Sequence, residues 1–205
     1  MFYGLFISLA WIIWHIGFRI KVVGKENLIK DRGFVLCPNH ISAIDPVFVG
    51  ISRFWGKRML VLAKNELFCK NFIFNWFFKQ VGVVPVHRGT GDTTVVDESI
   101  EYVKNGNGLL IFPEGTRTKD GNLGHIKSGA FVVAAQAHAD IIPCRIIYKG
   151  GKMRVFGHCT VVFGTPIPAC KLELGEPRSG ARLREVKKLY TDELDKLLLE
   201  NKQYL

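Results

Sequence analysis

Apolar positions along this chain come in short runs, and their spacing alternates between that of strands and that of helices. Runs bounded by Gly, Pro or charged residues read as strands at Ile20–Val23, Gly33–Cys37, Arg58–Ala63, Gly82–Val86, Gly108–Phe112, Ile141–Tyr148 and Met153–Phe163. Helical spacing takes over at Pro46–Ser52, Leu67–Lys79, Thr93–Lys104 and Lys127–Ala137, and Lys104-Asn105-Gly106-Asn107-Gly108 stops one helix before the next strand. Near-continuous apolar strands separated by helices predict an α/β fold, with a central mostly parallel or mixed sheet covered by helices. Leu183, Val186, Tyr190, Leu194 and Leu197 repeat at helical spacing among charges. They predict a C-terminal amphipathic helix that packs on the domain and carries no chemistry.

The two ends of the pattern differ. Residues 1–18 hold no Lys, Arg, Asp or Glu, and Arg19 and Lys21 follow directly. As a helix this stretch reaches about 27 Å, slightly under the roughly 30 Å of a hydrocarbon core. Trp11, Trp14 and His15 lie at its basic end, where amphipathic rings favour an interface. Residues 1–19 are therefore expected to be a membrane anchor or interfacial helix, spanning or lying in one leaflet, with a buried core helix as the alternative. Residues 20–205 form a single domain on this reading. Within it, Leu67–Phe78 is apolar around most of its circumference, with a narrow stripe at Asn71, Asn75 and Lys79. That suits an internal helix, or one that meets lipid or lines an acyl-chain groove through residues such as Phe72 and Trp76.

Composition narrows the partners. The chain has 205 residues, 48% of them hydrophobic and 15 of them Phe, which implies a thick core or an apolar ligand. A formal charge of +10 favours an anionic partner, either a phosphorylated substrate or an anionic membrane surface. The basic residues are dispersed without an RNA-binding signature, which argues against nucleic acid. Five scattered cysteines with no CxxC argue against a disulfide framework or a zinc site, and no metal is expected.

Three strand ends carry the candidate chemistry. In Asn39-His40-Ile41-Ser42-Ala43-Ile44-Asp45-Pro46 the His and Asp are five apart. On one continuous helix they would stand about 140° apart and could not meet. Pro46 disfavours helix at Asp45 and suits a helix start, so a turn after the strand can fold Asp45 back onto His40. The pair then resembles a general base and its orienting carboxylate; the alternative is a helix-capping Asp45 beside a core histidine. The run Gly82-Val83-Val84-Pro85-Val86-His87-Arg88 ends in Arg88, and Phe112-Pro113-Glu114-Gly115-Thr116-Arg117 ends in Arg117. Two guanidiniums at strand ends suit a phosphate, as does Lys127 opening a helix, although Glu114 could instead pair with Arg117.

Together these blocks resemble the glycerolipid acyltransferases. NHISAIDP is similar to their NHxxxxD motif, GVVPVHR to their second block, FPEGTRT to their third, and IIPC, with Pro143, to their fourth. AKNELF and KSGAF agree with segments between the blocks; His87, where aspartate is common, and Ser128, where lysine is common, depart from the pattern. The resemblance is strongest to bacterial 1-acyl-sn-glycerol-3-phosphate acyltransferases. It implies a cytoplasmic-face enzyme of the cell membrane that needs no cofactor beyond an acyl-CoA or acyl carrier protein thioester as co-substrate. The expected acceptor is lysophosphatidic acid. His40 and Asp45 would be catalytic, and Arg88, Glu114, Gly115, Arg117 and Lys127 would bind the substrate phosphate. Asn39, Phe72, Trp76 and Pro143 would support the acyl chain or the site. Ser42 is given no covalent role. Backbone amides near the His40 turn or Gly115 are candidates for oxyanion stabilisation. Two rivals remain: a sibling enzyme acting on another lysolipid, and a non-enzymatic basic peripheral membrane-binding protein. The second has no reason to hold His40, Asp45, Glu114 and Arg117 in these contexts.

Overall fold

A computed structural model of the chain describes residues 8–9, 11–12, 15–53, 59–64, 83–86, 93–118, 122–175 and 177–205. Its strands are β1 (Arg19–Val23), β2 (Phe34–Pro38), β3 (Met59–Lys64), β4 (Val83–Val86), β5 (Gly108–Leu110), β6 (Asp140–Tyr148) and β7 (His158–Phe163). They form one seven-stranded sheet in the order β1-β7-β6-β2-β5-β3-β4. Strands β6, β2, β5, β3 and β4 run parallel, whereas β7 is antiparallel to β6 and β1 follows β7. The sheet is therefore mixed, one of the two forms the sequence pattern allowed. Because β7 and β1 are reversed, His158 and Arg19 begin at the edge where β2 and β6 end. The loop after β2, the connection after β6 and the chain entering β1 share that edge.

Alternation along the central strands builds two cores. On one face Val35, Cys37, Leu109, Ile141 and Ile147 pack against α2 (Thr93–Lys104), α3 (Gly129–Gln136) and α4 (Gly180–Glu200). On the other face Phe34, Leu36, Leu110, Ile142, Cys144, Ile146 and Tyr148 meet Phe48, Val49 and Ile51 of α1 (Asp45–Ser52). A period of two in β2 and β6 with both faces covered explains why those strands read as unbroken apolar runs. Pro143 sits inside β6 without harm to the β7 pairing, since that ladder begins one residue later at Cys144↔Phe163. Helix α4 buries Val186, Tyr190, Leu194 and Leu197, and the Ser179 hydroxyl caps it by accepting from the Arg182 N–H.

Most boundaries shift by one or two residues, and two departures bear on the sequence reading. Strand β7 starts at His158 rather than Met153, because residues 149–157 form a connection that closes on itself before the strand begins. Strand β1 starts at Arg19, inside the stretch expected to be an anchor. Before it, the described residues among 8–17 are helical, and Leu9, Trp11, Ile12 and Ile16 are exposed. Among the described residues no helix is long and apolar enough to cross a membrane. The expected helix Leu67–Lys79, with Phe72 and Trp76, and Arg88 of the second block lie outside the described residues.

Candidate active site

The loop after β2 places His40 at the rim and Asp45 beneath it. The Asp45 carboxylate is wholly buried, the His40 side chain is 17% exposed, and Nδ1 of the ring lies 2.8 Å from Asp45 Oδ2. The same oxygen accepts the Ile41 and Ser42 N–H groups, each at 2.7 Å. Asp45 therefore reaches back into its own turn instead of capping α1, whose Ncap position is Ile44. An ionised carboxylate only accepts, so Nδ1 of His40 carries the proton and Nε2 keeps its lone pair. The imidazole is held from its other side by Phe112, with ring centroids 4.2 Å apart.

Sequence reasoning missed the fourth donor to Asp45. The Tyr148 hydroxyl, at the end of β6, donates to Asp45 Oδ1 at 2.5 Å. Burial, together with the adjacent Asp45 charge, pushes the Tyr148 phenol far above its ordinary range, so it remains a proton donor. Tyr148 follows Asp45 by 103 positions, so no local spacing could reveal the contact. The one available signal is chemical: a Tyr at the end of a buried strand needs a partner for its hydroxyl. Ser42 lies beside that hydroxyl, and its Oγ accepts from the Ile44 N–H at 3.5 Å. His40 Nδ1 is committed to Asp45 rather than to Ser42.

Asn39 and Glu114 fix the backbone around the pair. Asn39 Oδ1 accepts from the Ile146 N–H at 2.6 Å and its Nδ2 donates to the Ile146 carbonyl at 3.2 Å, which ties the end of β2 to β6. Glu114 is expected among the phosphate-binding residues, yet its oxygens accept from the His40 N–H (2.7 Å) and the Gly124 N–H (2.8 Å). A buried carboxylate so placed clamps two loops and would repel a phosphate. Burial raises its pKa, against which the two N–H donors, His40 and the buried Arg145 act. Arg145, on β6, is 3% exposed; burial lowers its pKa, while Asp195 and Glu114 favour its charge.

The third block completes the rim. Gly115 has φ +66°, a backbone region that side chains disfavour, and a methyl group there would come within 3.0 Å of Lys127 Cδ, Cε and Nζ. The Lys127 side chain thus lies across Gly115, and the Lys127 backbone N–H donates to the Pro113 carbonyl at 2.9 Å. The Thr118 N–H donates to the His40 carbonyl at 2.9 Å, which puts exposed Arg117 one residue from the His40 loop. Pro143 lies in β6 beside Cys37 of β2, a place in the sheet framework rather than at the rim. Four of the backbone amides near which an oxyanion is expected are already engaged. Those of His40, Ile41 and Ser42 serve Glu114 and Asp45, and that of Gly115 donates to the Phe112 carbonyl at 3.0 Å.

A family model described as Acyltransferase matches residues 19–147. The chain is 32% identical over 167 residues to the chloroplastic 1-acyl-sn-glycerol-3-phosphate acyltransferase of Arabidopsis thaliana, over 77% of this chain and 46% of that one. With the 1-acyl-sn-glycerol-3-phosphate acyltransferase of Bacillus subtilis it shares 31% over 144 residues, 66% of this chain and 70% of that one. It thus spans about half the length of the chloroplast relatives and more of the bacterial one. The crystal structure of the 1-acyl-sn-glycerophosphate acyltransferase from Thermotoga maritima is similar, with a TM-score of 0.66 and 25% identity over 95% of this chain and 78% of that one. The matched region runs from β1 almost to the end of β6, more than half of the sequence, and on that ground the chain belongs to the acyltransferase family.

Proposed function

We propose that this chain transfers an acyl group from an acyl thioester to the sn-2 hydroxyl of 1-acyl-sn-glycerol-3-phosphate, giving phosphatidic acid. The observation that carries the reading is the His40–Asp45 pair: a carboxylate held by three other donors binds one imidazole nitrogen and leaves the other free. The relatives named above are 1-acyl-sn-glycerol-3-phosphate acyltransferases, and this chain carries the pair in the loop that follows β2. His40 Nε2 takes the hydroxyl proton as the oxygen attacks the thioester carbon. Asp45 stabilises the imidazolium, and the tetrahedral adduct collapses as the C–S bond breaks. The proton then passes from His40 to the departing thiolate, and no acyl-enzyme is needed. General-base assistance of this kind contributes about 10²–10⁴-fold.

Arg117 and Lys127, with Arg88, are proposed to hold the phosphate. Arg117 and Lys127 are exposed, Arg117 adjoins the Thr118–His40 contact, and Lys127 lies over Gly115. Glu114 then acts through the loops it clamps. The thioester carrier is proposed to be CoA or acyl carrier protein. The apolar segment 67–78, with Phe72 and Trp76, is proposed to meet the acyl chain, and the enzyme to work on the cytoplasmic face of the cell membrane. The test is thiol release by the purified full chain with a panel of acceptors. Lysophosphatidic acid is expected to be consumed well ahead of a zwitterionic lysolipid or a monoacylglycerol. Equal rates on lysophosphatidic acid and uncharged monoacylglycerol would remove the phosphate clamp, and thiol release that ignores the acceptor would remove acyl transfer.

A further inference from the structure

Large apolar side chains exposed among the described residues gather in one place. Leu9, Trp11, Ile12 and Ile16 lie before β1, and Val155 and Phe156 lie on the connection between β6 and β7; otherwise only Leu199 and Leu205 near the C-terminus stand out. The two stretches touch: the Phe156 N–H donates to the Gly17 carbonyl at 2.7 Å, and the Arg19 N–H donates to the Gly157 carbonyl at 3.0 Å. Within the connection, Met153 packs on the core below, while Val155 and Phe156 point outward at 66% and 73% exposure.

The backbone of this connection is costly. A Gly157 N–H to Arg154 carbonyl bond of 2.9 Å closes a turn with Val155 and Phe156 at its apex, and Phe156 has φ +60°. Left-handed backbone is strained for a bulky residue, and turns that need it there normally carry Gly or Asn. Phe156 thus combines backbone strain with an unburied phenyl ring. Both costs are explained if the ring enters an apolar phase when the protein works.

Charge identifies that phase. No Asp or Glu occurs in residues 1–25 or 141–172. Arg19, Lys149, Lys152, Arg154 and His158 are exposed around the apolar tip. A second copy of this surface would bring like charges together, whereas an anionic lipid surface complements them. The tip also stands on the edge that carries His40. An aromatic line runs inward from the chain before β1, with Phe18 against Phe48 (5.0 Å) and Phe48 against Tyr148 (5.8 Å), to the residue that holds Asp45.

We infer that the Lys149–Gly157 turn is a membrane-contact element: Val155 and Phe156 insert into an anionic bilayer beside the N-terminal apolar segment, and the flanking cations lie on its headgroups. This turn directs the His40 edge toward the lipid phase. That last step rests on the proposed lysolipid acceptor, but the contact itself does not.

The test is flotation of the full chain with vesicles of phosphatidylglycerol and phosphatidylcholine, which requires no turnover and so separates this inference from the proposed reaction. Phe156→Asp is expected to weaken partition by roughly 10- to 100-fold, the burial value of a phenyl ring. Arg154→Glu is expected to weaken it on the anionic vesicles and hardly at all on pure phosphatidylcholine. Leu199→Asp, at the C-terminal helix, is expected to leave it unchanged. Phe156→Gly guards against misfolding, because glycine accepts this backbone freely: its melting temperature is expected to hold or rise while partition falls. Unchanged partition in both Phe156 variants overturns the inference. So does a Phe156→Asp effect confined to oligomeric state, or a drop in the Phe156→Gly melting temperature with partition intact.

Discussion

Replacing Tyr148 by Phe removes one oxygen and tests whether Asp45 depends on its fourth donor. The lost bond is short (2.5 Å), and both partners are buried. A hydrogen bond to a charged group is worth about 1.5–3 kcal/mol, and its removal leaves Oδ1 of a buried carboxylate without that donor. For a domain of this size each kcal/mol lowers the melting temperature by about 2–4 °C, so a fall of roughly 3–12 °C is expected. Catalysis should suffer less, since the Ile41 and Ser42 amides and His40 still hold Oδ2. A fall in kcat of about 3- to 10-fold is expected if a part of the same free energy positions the imidazole. The split between rate and stability separates positioning from packing. The assay is thiol release at saturating acceptor by folded variant and wild type, alongside thermal unfolding. A lowered melting temperature with kcat unchanged would reduce Tyr148 to a packing residue, and wild-type values for both would remove the bond from the account.

His40→Ala should abolish turnover while lysolipid binding persists, and Asp45→Asn should be severe but less complete; near-normal turnover in His40→Ala, or a stable acyl-Ser42 adduct, would defeat direct transfer. Glu114→Gln should destabilise the chain by about 1–3 kcal/mol, because an amide offers one acceptor where two buried N–H groups need one each. The folded-state pKa of Glu114 is raised, so the wild type should lose stability as pH rises just above the ordinary glutamate range. The variant should lack that slope in thermal unfolding. Arg117→Ala should lower kcat/KM for the phosphorylated acceptor by roughly 10- to 150-fold, with partial rescue by Lys, since an ammonium cannot make the two-pronged contact. An equal loss on an uncharged acceptor would show that Arg117 supports the loop rather than the phosphate.

What could be read from the sequence, and what could not, divides by the range of the interactions involved. Each strand run corresponded to a strand because apolar periodicity is a local property, and the α4 stripe was legible for the same reason. The His40–Asp45 contact was also legible, because a five-residue turn ending at a proline leaves few conformations. By contrast, Glu114 acts on His40 across 74 positions and Tyr148 on Asp45 across 103. Those contacts exist only because β2 pairs with both β5 and β6, which brings three strand ends to one rim. The Met153–Phe163 stretch failed in the opposite direction. Its apolar residues resemble a strand that begins early, but Gly157 and the left-handed Phe156 turn the chain first. The oxyanion expectation is narrowed by stoichiometry: His40, Ile41, Ser42 and Gly115 have already committed their amides. A loop that spends these four donors on holding its base leaves transition-state charge to be met in part by other groups. Arg117, beside the Thr118–His40 contact, and Lys127, over Gly115, are cations on the same rim, so the Arg117/Lys127 double variant should lose more in kcat than phosphate binding alone accounts for. A double-mutant loss that falls entirely on KM for the acceptor would confine these residues to binding.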